Sequence, residues 1–557
     1  MLNNRRKRPD HDASTTISPA ISDTPLSSPQ AHQFQRRRRQ RRPTTNSSFL
    51  LLVLLAALMS IGIVFRRVDF RDHFQKIEQK KKSLYVPGGE SSSKDLVKVQ
   101  IIPDETEQKE KIYQENIFPI SFDKEMEEIR HPSIVYGAKI PEGLPETLML
   151  PKFWNPRTHG GDIRRFLGDG ALLTPEKAAS VGSLIDGKET ILVVIASYRD
   201  PECQNTVEDL YLRAEHPHRI RTVVVDQLRE GDKRCTEPKQ PCDEDPEQVV
   251  CYFSHLIHSY ELDARLAVGP TLARHIAHRH YRNEYFVLQL DAHVRFVKNW
   301  DSDISEQWKS AQNEMAVLTT YMLDLNGSID PKTHESRKVG RALLCNVDFE
   351  NGILRNGQQA ARPPGIHGTP TLHPFWAAGF SFSRGHFVVQ VPYDLYLPQI
   401  FQGEEMSIAL RGFSYGYDYY APERNVCFHM YALNKFRENR LSVPKFTENK
   451  ATFKGVEEKA MKRLIVMLGM NTGGNTEETY QNIDERLYGL GRARTLETFF
   501  STFGIHVENQ TIENHLCWFV GEQMHRAILP RALRNDGMGI DYHQVDFKFV
   551  DPAPDQP

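Results

Sequence analysis

The stretch EYFVLQLDAHVRFVKNW, Glu284–Trp300, decides the fold. Tyr285–Leu290 is a nearly unbroken apolar run with aromatic and β-branched members, the pattern of a buried strand. It breaks into Asp291-Ala292-His293. Open α/β sheets place ligands just past the carboxyl ends of their strands, and an extended turn there points side chains two residues apart to the same side. A carboxylate oxygen and an imidazole nitrogen so placed suit Mn²⁺ or Mg²⁺, with room for water or phosphate oxygens, better than a closed zinc site. The competing account is a surface turn after a core strand, because Asp is a common turn residue.

Working outward, Thr190–Ala196, TILVVIA, reads as a buried strand ending in Ser197-Tyr198-Arg199-Asp200. Asn205–Ala214 reads as a helix, and Ile220–Val225, IRTVVV, as a second strand ended by Asp226. Strand, helix and strand in that order make a βαβ unit with a parallel sheet. A helix over Pro270–Tyr281, with Pro270 in its first turn, feeds the central strand, and Met315–Tyr321 gives a fourth. The fold class expected is therefore α/β, with a nucleotide-binding, Rossmann-like sheet.

The following half is aromatic and glycine-rich. In His373–His386, HPFWAAGFSFSRGH, the small Ala377, Ala378 and Gly379 would let a ligand approach the backbone closely, or simply belong to a buried strand. Gly403-Glu404-Glu405 opens a helix over Met406–Arg411; acids are favoured at a helix N-terminus whatever their function. His429 lies in the aromatic stretch Cys427–Tyr431. A lone histidine there is ordinarily a core residue, and it gains interest because a metal held by Asp291 and His293 needs a third protein ligand.

The first residues of the 557-residue chain have a different composition. Residues 1–48 carry Arg5-Arg6-Lys7-Arg8 and Arg36–Arg39 among Ser, Thr, Pro and Gln, too polar to bury a core. Phe49–Phe65, FLLLVLLAALMSIGIVF, has no charged residue and is flanked by arginines. It reads as an uncleaved transmembrane signal anchor. The heavier positive charge on its N-terminal side predicts a cytosolic tail and a lumenal body, a single-pass type II Golgi membrane protein. Residues 66–150 read as stem and lead-in, 186–440 as the catalytic domain and 441–557 as a C-terminal helical extension. The formal net charge of −2 and the tethering of the basic tail argue against nucleic acid as a partner.

Seven cysteines are few for this length, and no C-x-x-C pattern is present. Cys235, Cys242 and Cys251 are close enough in sequence for one disulfide in a lumenal compartment, and an odd total leaves at least one cysteine free or intermolecular. Asn326 and Asn509 begin N-glycosylation triplets.

Six spaced segments resemble the GlcNAc-transferase family that modifies hydroxyproline of Skp1-type proteins or Thr of mucin-like proteins. They are IASYRD (Ile195–Asp200), GPTLARH (Gly269–His275), Tyr285–Asp301, FWAAGFSFS (Phe375–Ser383), Val391–Glu423 and RLYGLGRARTLETF (Arg486–Phe499). The resemblance implies a GT-A fold, a UDP-GlcNAc donor, a divalent metal, a protein hydroxyl acceptor (Ser/Thr or hydroxyproline) and retention of anomeric configuration. It implies that Asp291, His293 and His429 are the metal ligands. Ser197, Tyr198 and Arg199 would form the nucleotide pocket, Arg274 would reach the diphosphate and Gly379 would admit the donor sugar. Glu404 and Glu405 would be the catalytic carboxylates facing sugar and acceptor hydroxyls. A sugar-binding protein without turnover, or a transferase for another UDP-sugar, is the alternative.

Overall fold

A computed structural model of the chain describes residues 126–154, 170–357, 359, 361–470, 484–513, 517 and 529–545. The basic tail, the apolar run 49–65 and most of the stem lie outside the described residues. Among the described residues no helix is long and apolar enough to cross a membrane.

The strands that matter to the site are β1 (Ile191–Tyr198), β2 (Ile220–Leu228), β3 (Ile257–Asp263), β4 (Phe286–Asp291), β5 (Val294–Phe296), β6 (Ala316–Thr319), β7 (Thr371–His373), β8 (Phe380–Arg384), β9 (Asp418–Ala421) and β10 (Cys427–His429). Eight of them form one sheet in the order β7-β9-β6-β8-β4-β1-β2-β3. The β4-β1-β2-β3 half is parallel throughout, as the βαβ reading expects. The other half is mixed: β8 runs antiparallel to both β4 and β6, and β9 is parallel to β6. The expected Rossmann-like sheet is thus half of a larger mixed α/β sheet, an arrangement consistent with a GT-A fold. Sequence reading missed β3, β7 and β9. Tyr419 and Tyr420 of β9 are as buried as β1, but their tyrosine-rich stretch lacks the aliphatic run that marks a core strand.

The parallel strands are buried on both faces. Ile191 to Ile195, Val223 to Val225 and Leu288 with Leu290 are all at most 1% exposed. Continuous aliphatic runs, rather than alternation, are what such a sheet requires. Three helices cover it: α1 (Cys203–Arg213), α2 (Pro270–His278) and α3 (Trp300–Ser310). A fourth, α4 (Glu404–Ser414), brings both glutamates of the Gly-Glu-Glu motif into its first turn.

Several strands run further than their apolar residues. Ser197 and Tyr198 lie inside β1, Asp226 inside β2 and Asp291 at the last position of β4, because neighbouring strands continue the ladder beneath them. Helix α2 stops at His278 rather than Tyr281. Residues 126–151 form a two-stranded antiparallel ladder, and Leu148 and Leu150 join the main core.

The structure contains three disulfides: Cys203–Cys235, Cys242–Cys251 and Cys345–Cys517. Cys427 is buried and reduced. The expected single bridge is exceeded because Cys235 reaches back to α1 and Cys345 reaches across the fold, pairings that sequence proximity does not reveal.

Candidate active site

The centre of the site is where β4 ends. Asp291 hydrogen-bonds backbone to backbone with Gly379, its amide donating to the Gly379 carbonyl at 3.2 Å. A Cβ placed on Gly379 would come within 2.7 Å of Asp291 Oδ2. The glycine therefore makes room for the carboxylate. Gln289, two residues back, fixes the same loop by donating to the Ala378 carbonyl at 2.7 Å.

His429 arrives through a separate short ladder. β10 pairs antiparallel with β5, setting His429 opposite Val294, and the Met430 amide donates to the His293 carbonyl at 3.0 Å. The His293 and His429 rings meet edge to face with centroids 4.4 Å apart. One ligand atom from each of Asp291, His293 and His429 lies within 4.8 Å of the others. The structure thus brings His429 to Asp291 and His293 from more than 130 residues further along the chain.

The surrounding groups keep these side chains in ligand form. Burial alone would raise the Asp291 carboxyl, but the hydrogen bond with His429 and the Arg274 charge hold it well below the usual carboxylate range. Burial lowers the His429 pKa, leaving a neutral imidazole with a lone pair. His293 Nδ1 meets Asp200 Oδ2 at 2.8 Å. A carboxylate on one ring nitrogen fixes the tautomer and makes the other nitrogen the one that can ligate, here 3.1 Å from the Arg440 guanidinium. Despite its burial, Asp200 is held down to about 2 by His293 and Arg440. One carboxylate and two imidazoles form a mixed oxygen and nitrogen set, which fits Mn²⁺ better than Mg²⁺.

A cavity of about 560 Å³ opens over this cluster, and Arg274, Asp291, His293, Gly379, Glu404, Glu405 and His429 all line it. Ser197, Tyr198 and Arg199 do not. Tyr198 donates to Glu448 at 2.5 Å, and Arg199 pairs with Asp232 at 2.7 Å and Glu448 at 3.2 Å. Ser197 is buried opposite Asp226 in the β1–β2 ladder. Two of the three residues expected to form the nucleotide pocket, Tyr198 and Arg199, are thus tied to Glu448.

Arg274, expected to reach a diphosphate, lines the cavity. Its guanidinium bridges Glu404 and Asp291, the latter at 2.8 Å. It positions the Asp291 carboxylate. Glu404 is its buried counter-ion, and burial raises the Glu404 pKa against the opposing Arg274 charge. Glu405 accepts from the Ala378 amide at 3.0 Å, from Asn356 at 3.0 Å and from the Tyr321 hydroxyl.

Sequence reasoning missed Arg440, Tyr321, Asn356, Tyr431 and Glu448. Arg440 donates to both Asp200 oxygens, at 3.1 and 2.9 Å, and lies 3.0 and 3.1 Å from the two ring nitrogens of His293. Asp200 had one signal, its place at the end of IASYRD. The others sit in loops (Tyr321, Tyr431), at the end of a short strand (Asn356) and in short helical turns (Arg440, Glu448), segments of ordinary composition.

A cleft at the carboxyl end of a parallel half-sheet, with a carboxylate and two imidazoles at its floor, stands where open α/β sheets place their ligands. The Glycosyltransferase (GlcNAc) family model matches residues 190–250 and 238–509, more than half of the chain. The chain belongs to that glycosyltransferase family.

No curated protein gives a significant match. Among solved structures, GalNAc-T7 with UDP, GalNAc and Mn²⁺ is 14% identical over 63% of this chain, with a TM-score of 0.37. This chain spans 66% of GalNAc-T7, just under two thirds. S. aureus TarS 1-349 in complex with UDP-GlcNAc is 12% identical over 50% of this chain and 70% of its own, with a TM-score of 0.29. At these scores neither likeness bears on chemistry.

Proposed function

We propose that the protein transfers N-acetylglucosamine from UDP-GlcNAc to a hydroxyl of a protein acceptor, Ser/Thr or hydroxyproline, with retention of configuration. The observation that carries this reading is the meeting of Asp291, His293 and His429 at the floor of the cavity, in a chain of this family. The three side chains would hold Mn²⁺ or Mg²⁺. When bound, such an ion supplies Lewis-acid stabilisation to the departing diphosphate, worth several kcal/mol.

The chain's own residues do the rest. Asp200 orients the His293 ring, Arg274 fixes the Asp291 carboxylate, and Gly379 leaves space beside it. Glu404 neutralises Arg274 within the buried network and acts through it. Binding of the nucleotide at Ser197, Tyr198 and Arg199 requires Glu448 to release Tyr198 and Arg199. A sugar-binding role without turnover is disfavoured because both histidines and all three carboxylates of the site are present.

We place the body in the Golgi lumen as a type II membrane protein. The supports are the arginine-flanked apolar run Phe49–Phe65 and three disulfides, which persist in oxidising compartments. Deleting residues 1–70 should release an active protein from the membrane fraction; an intact chain that fractionates as soluble would sink the placement.

The deciding experiment is a screen of UDP-sugars against peptide acceptors, with Mn²⁺ or with EDTA. UDP-GlcNAc should give UDP release and a glycopeptide only with metal. Full activity in EDTA, or no turnover of any UDP-sugar, would end this reading.

A further inference from the structure

Asn356 lines the cavity, and no step above uses it. It ends the strand Ile353–Asn356, which pairs with Val347–Glu350 in a hairpin, and it is only 8% exposed. Its Nδ2 donates to the Trp376 carbonyl at 3.1 Å and to Glu405 Oε2 at 3.0 Å. A backbone carbonyl can only accept, so the amide must turn its NH₂ that way. Both amide protons are then in use. Oδ1 is left buried and accepts no hydrogen bond among the described residues. A buried amide oxygen without a donor is costly, and the cost disappears when a ligand donates to it.

The place of this oxygen narrows what that ligand is. The loop Trp376–Gly379 gives its carbonyl at Trp376 to Asn356 and its Ala378 amide to Glu405, and its Gly379 abuts the Asp291 carboxylate. Asn356 is therefore tied to the loop that borders the three-residue cluster, where a sugar attached to a diphosphate must lie. Glu405 already accepts from Ala378, Asn356 and Tyr321. Through these contacts it holds Asn356 in place.

We infer that Asn356 is a specificity-determining residue whose Oδ1 accepts a hydrogen bond from the donor sugar, either a ring hydroxyl or the acetamido N–H. The inference rests on the nucleotide-sugar reading above. A site built to accept from such a group rejects the analogue that lacks it, because the protein oxygen is then left buried and unpaired.

The experiment compares full-length wild type with Asn356→Ala, using UDP-GlcNAc, UDP-glucose (no acetamido N–H) and UDP-GlcNAc analogues deoxygenated at the 3-, 4- or 6-position. Binding of UDP alone, with Mn²⁺, is measured by calorimetry on both proteins. For wild type, one analogue should lose about thirtyfold or more in kcat/KM relative to UDP-GlcNAc. Asn356→Ala should lose a similar factor with UDP-GlcNAc, lose little further with that analogue, and bind UDP as wild type does. UDP-glucose as the sensitive analogue identifies the acetamido group; a deoxy sugar identifies a hydroxyl. The inference is overturned if the variant keeps the wild-type ranking of sugars, or if it loses the same factor for every sugar and for UDP. Should Asn356→Ala fail to fold, Asn356→Ser must show the same pattern. A wild-type protein that turns over no UDP-sugar would overturn the transferase reading itself, an outcome distinct from an unaltered ranking.

Discussion

The floor and the wall of the cleft are built in different ways. The floor is made from ends of regular elements: β4 supplies Asp291, β10 supplies His429, and α2 and α4 supply Arg274 and Glu404. Backbone ladders fix Asp291 and His429, and two helices carry Arg274 and Glu404. The wall and its surroundings are made from loops, a hairpin and short helical turns, and Tyr321, Asn356, Arg440 and Glu448 are held by side-chain bonds spanning 49 to 250 residues. Positions that must not move are built on the sheet, and positions that must admit or select a ligand are built on segments a few hydrogen bonds can release.

The comparison is tested most severely at the floor. Asp291→Asn keeps size and removes the charge that pairs with Arg274 and that the proposed metal would need. Transfer should fall by about a thousandfold or more, with EDTA inactivating the wild type and Mn²⁺ restoring it. Normal transfer by this variant would show that the floor is structural only.

Glu404→Gln tests whether the floor network is also a stability element. Glu404 is 3% exposed and faces the buried Arg274 guanidinium. Removing one charge of a buried pair costs about 3–5 kcal/mol, reduced here by the Asp291 contact that remains. Urea denaturation should show the loss; an unchanged midpoint would count against a shared network.

Asp226 gives a pH test of the nucleotide edge of the sheet. Burial raises its carboxyl to about 6, against the pull of the Cys235 amide and the Ser197 hydroxyl. A raised carboxyl favours the folded state while protonated, so its contribution is complete below about pH 4 and is lost as pH rises through 6. By linkage the change is about 3 kcal/mol. Asp226→Asn should flatten the pH dependence of unfolding between pH 4 and 7. An equally steep profile in that variant would assign the dependence elsewhere.

Gly379→Ala sets a methyl against Asp291 Oδ2. We expect roughly a tenfold loss in kcat/KM and a higher Mn²⁺ requirement, since a small displacement of a reacting group is costly. An unchanged Mn²⁺ activation curve would mean the loop gives way freely. The smallest effect belongs to the rim: Phe401 lines the cavity yet is 60% exposed. Phe401→Ala should raise the acceptor KM a few-fold and leave the UDP-sugar KM alone, and the reverse pattern would move Phe401 to the donor side.

Much of the floor was legible in the chain because strands buried on both faces need continuous apolar runs. Those runs located β1, β2 and β4 to within a few residues, and the polar residues that follow them mark the ligand edge. Asp291 and His293 followed from that rule. His429 needed the family resemblance, since a histidine between Phe428 and Met430 looks like core. Arg274 and Glu404 were visible as residues, but their mutual pairing was not.

What the sequence alone determined is the set of elements, the parallel half-sheet and the chemistry at its edge, because local periodicity and burial are encoded residue by residue. Only the tertiary structure decided that Gly379 accommodates a carboxylate, that Arg274 bridges two acids, that Cys345 pairs with Cys517, and that Asn356 meets Glu405 with one oxygen left over. Each is a contact between segments distant in the chain. Its geometry depends on how the sheet and loops pack, and no local pattern carries that information.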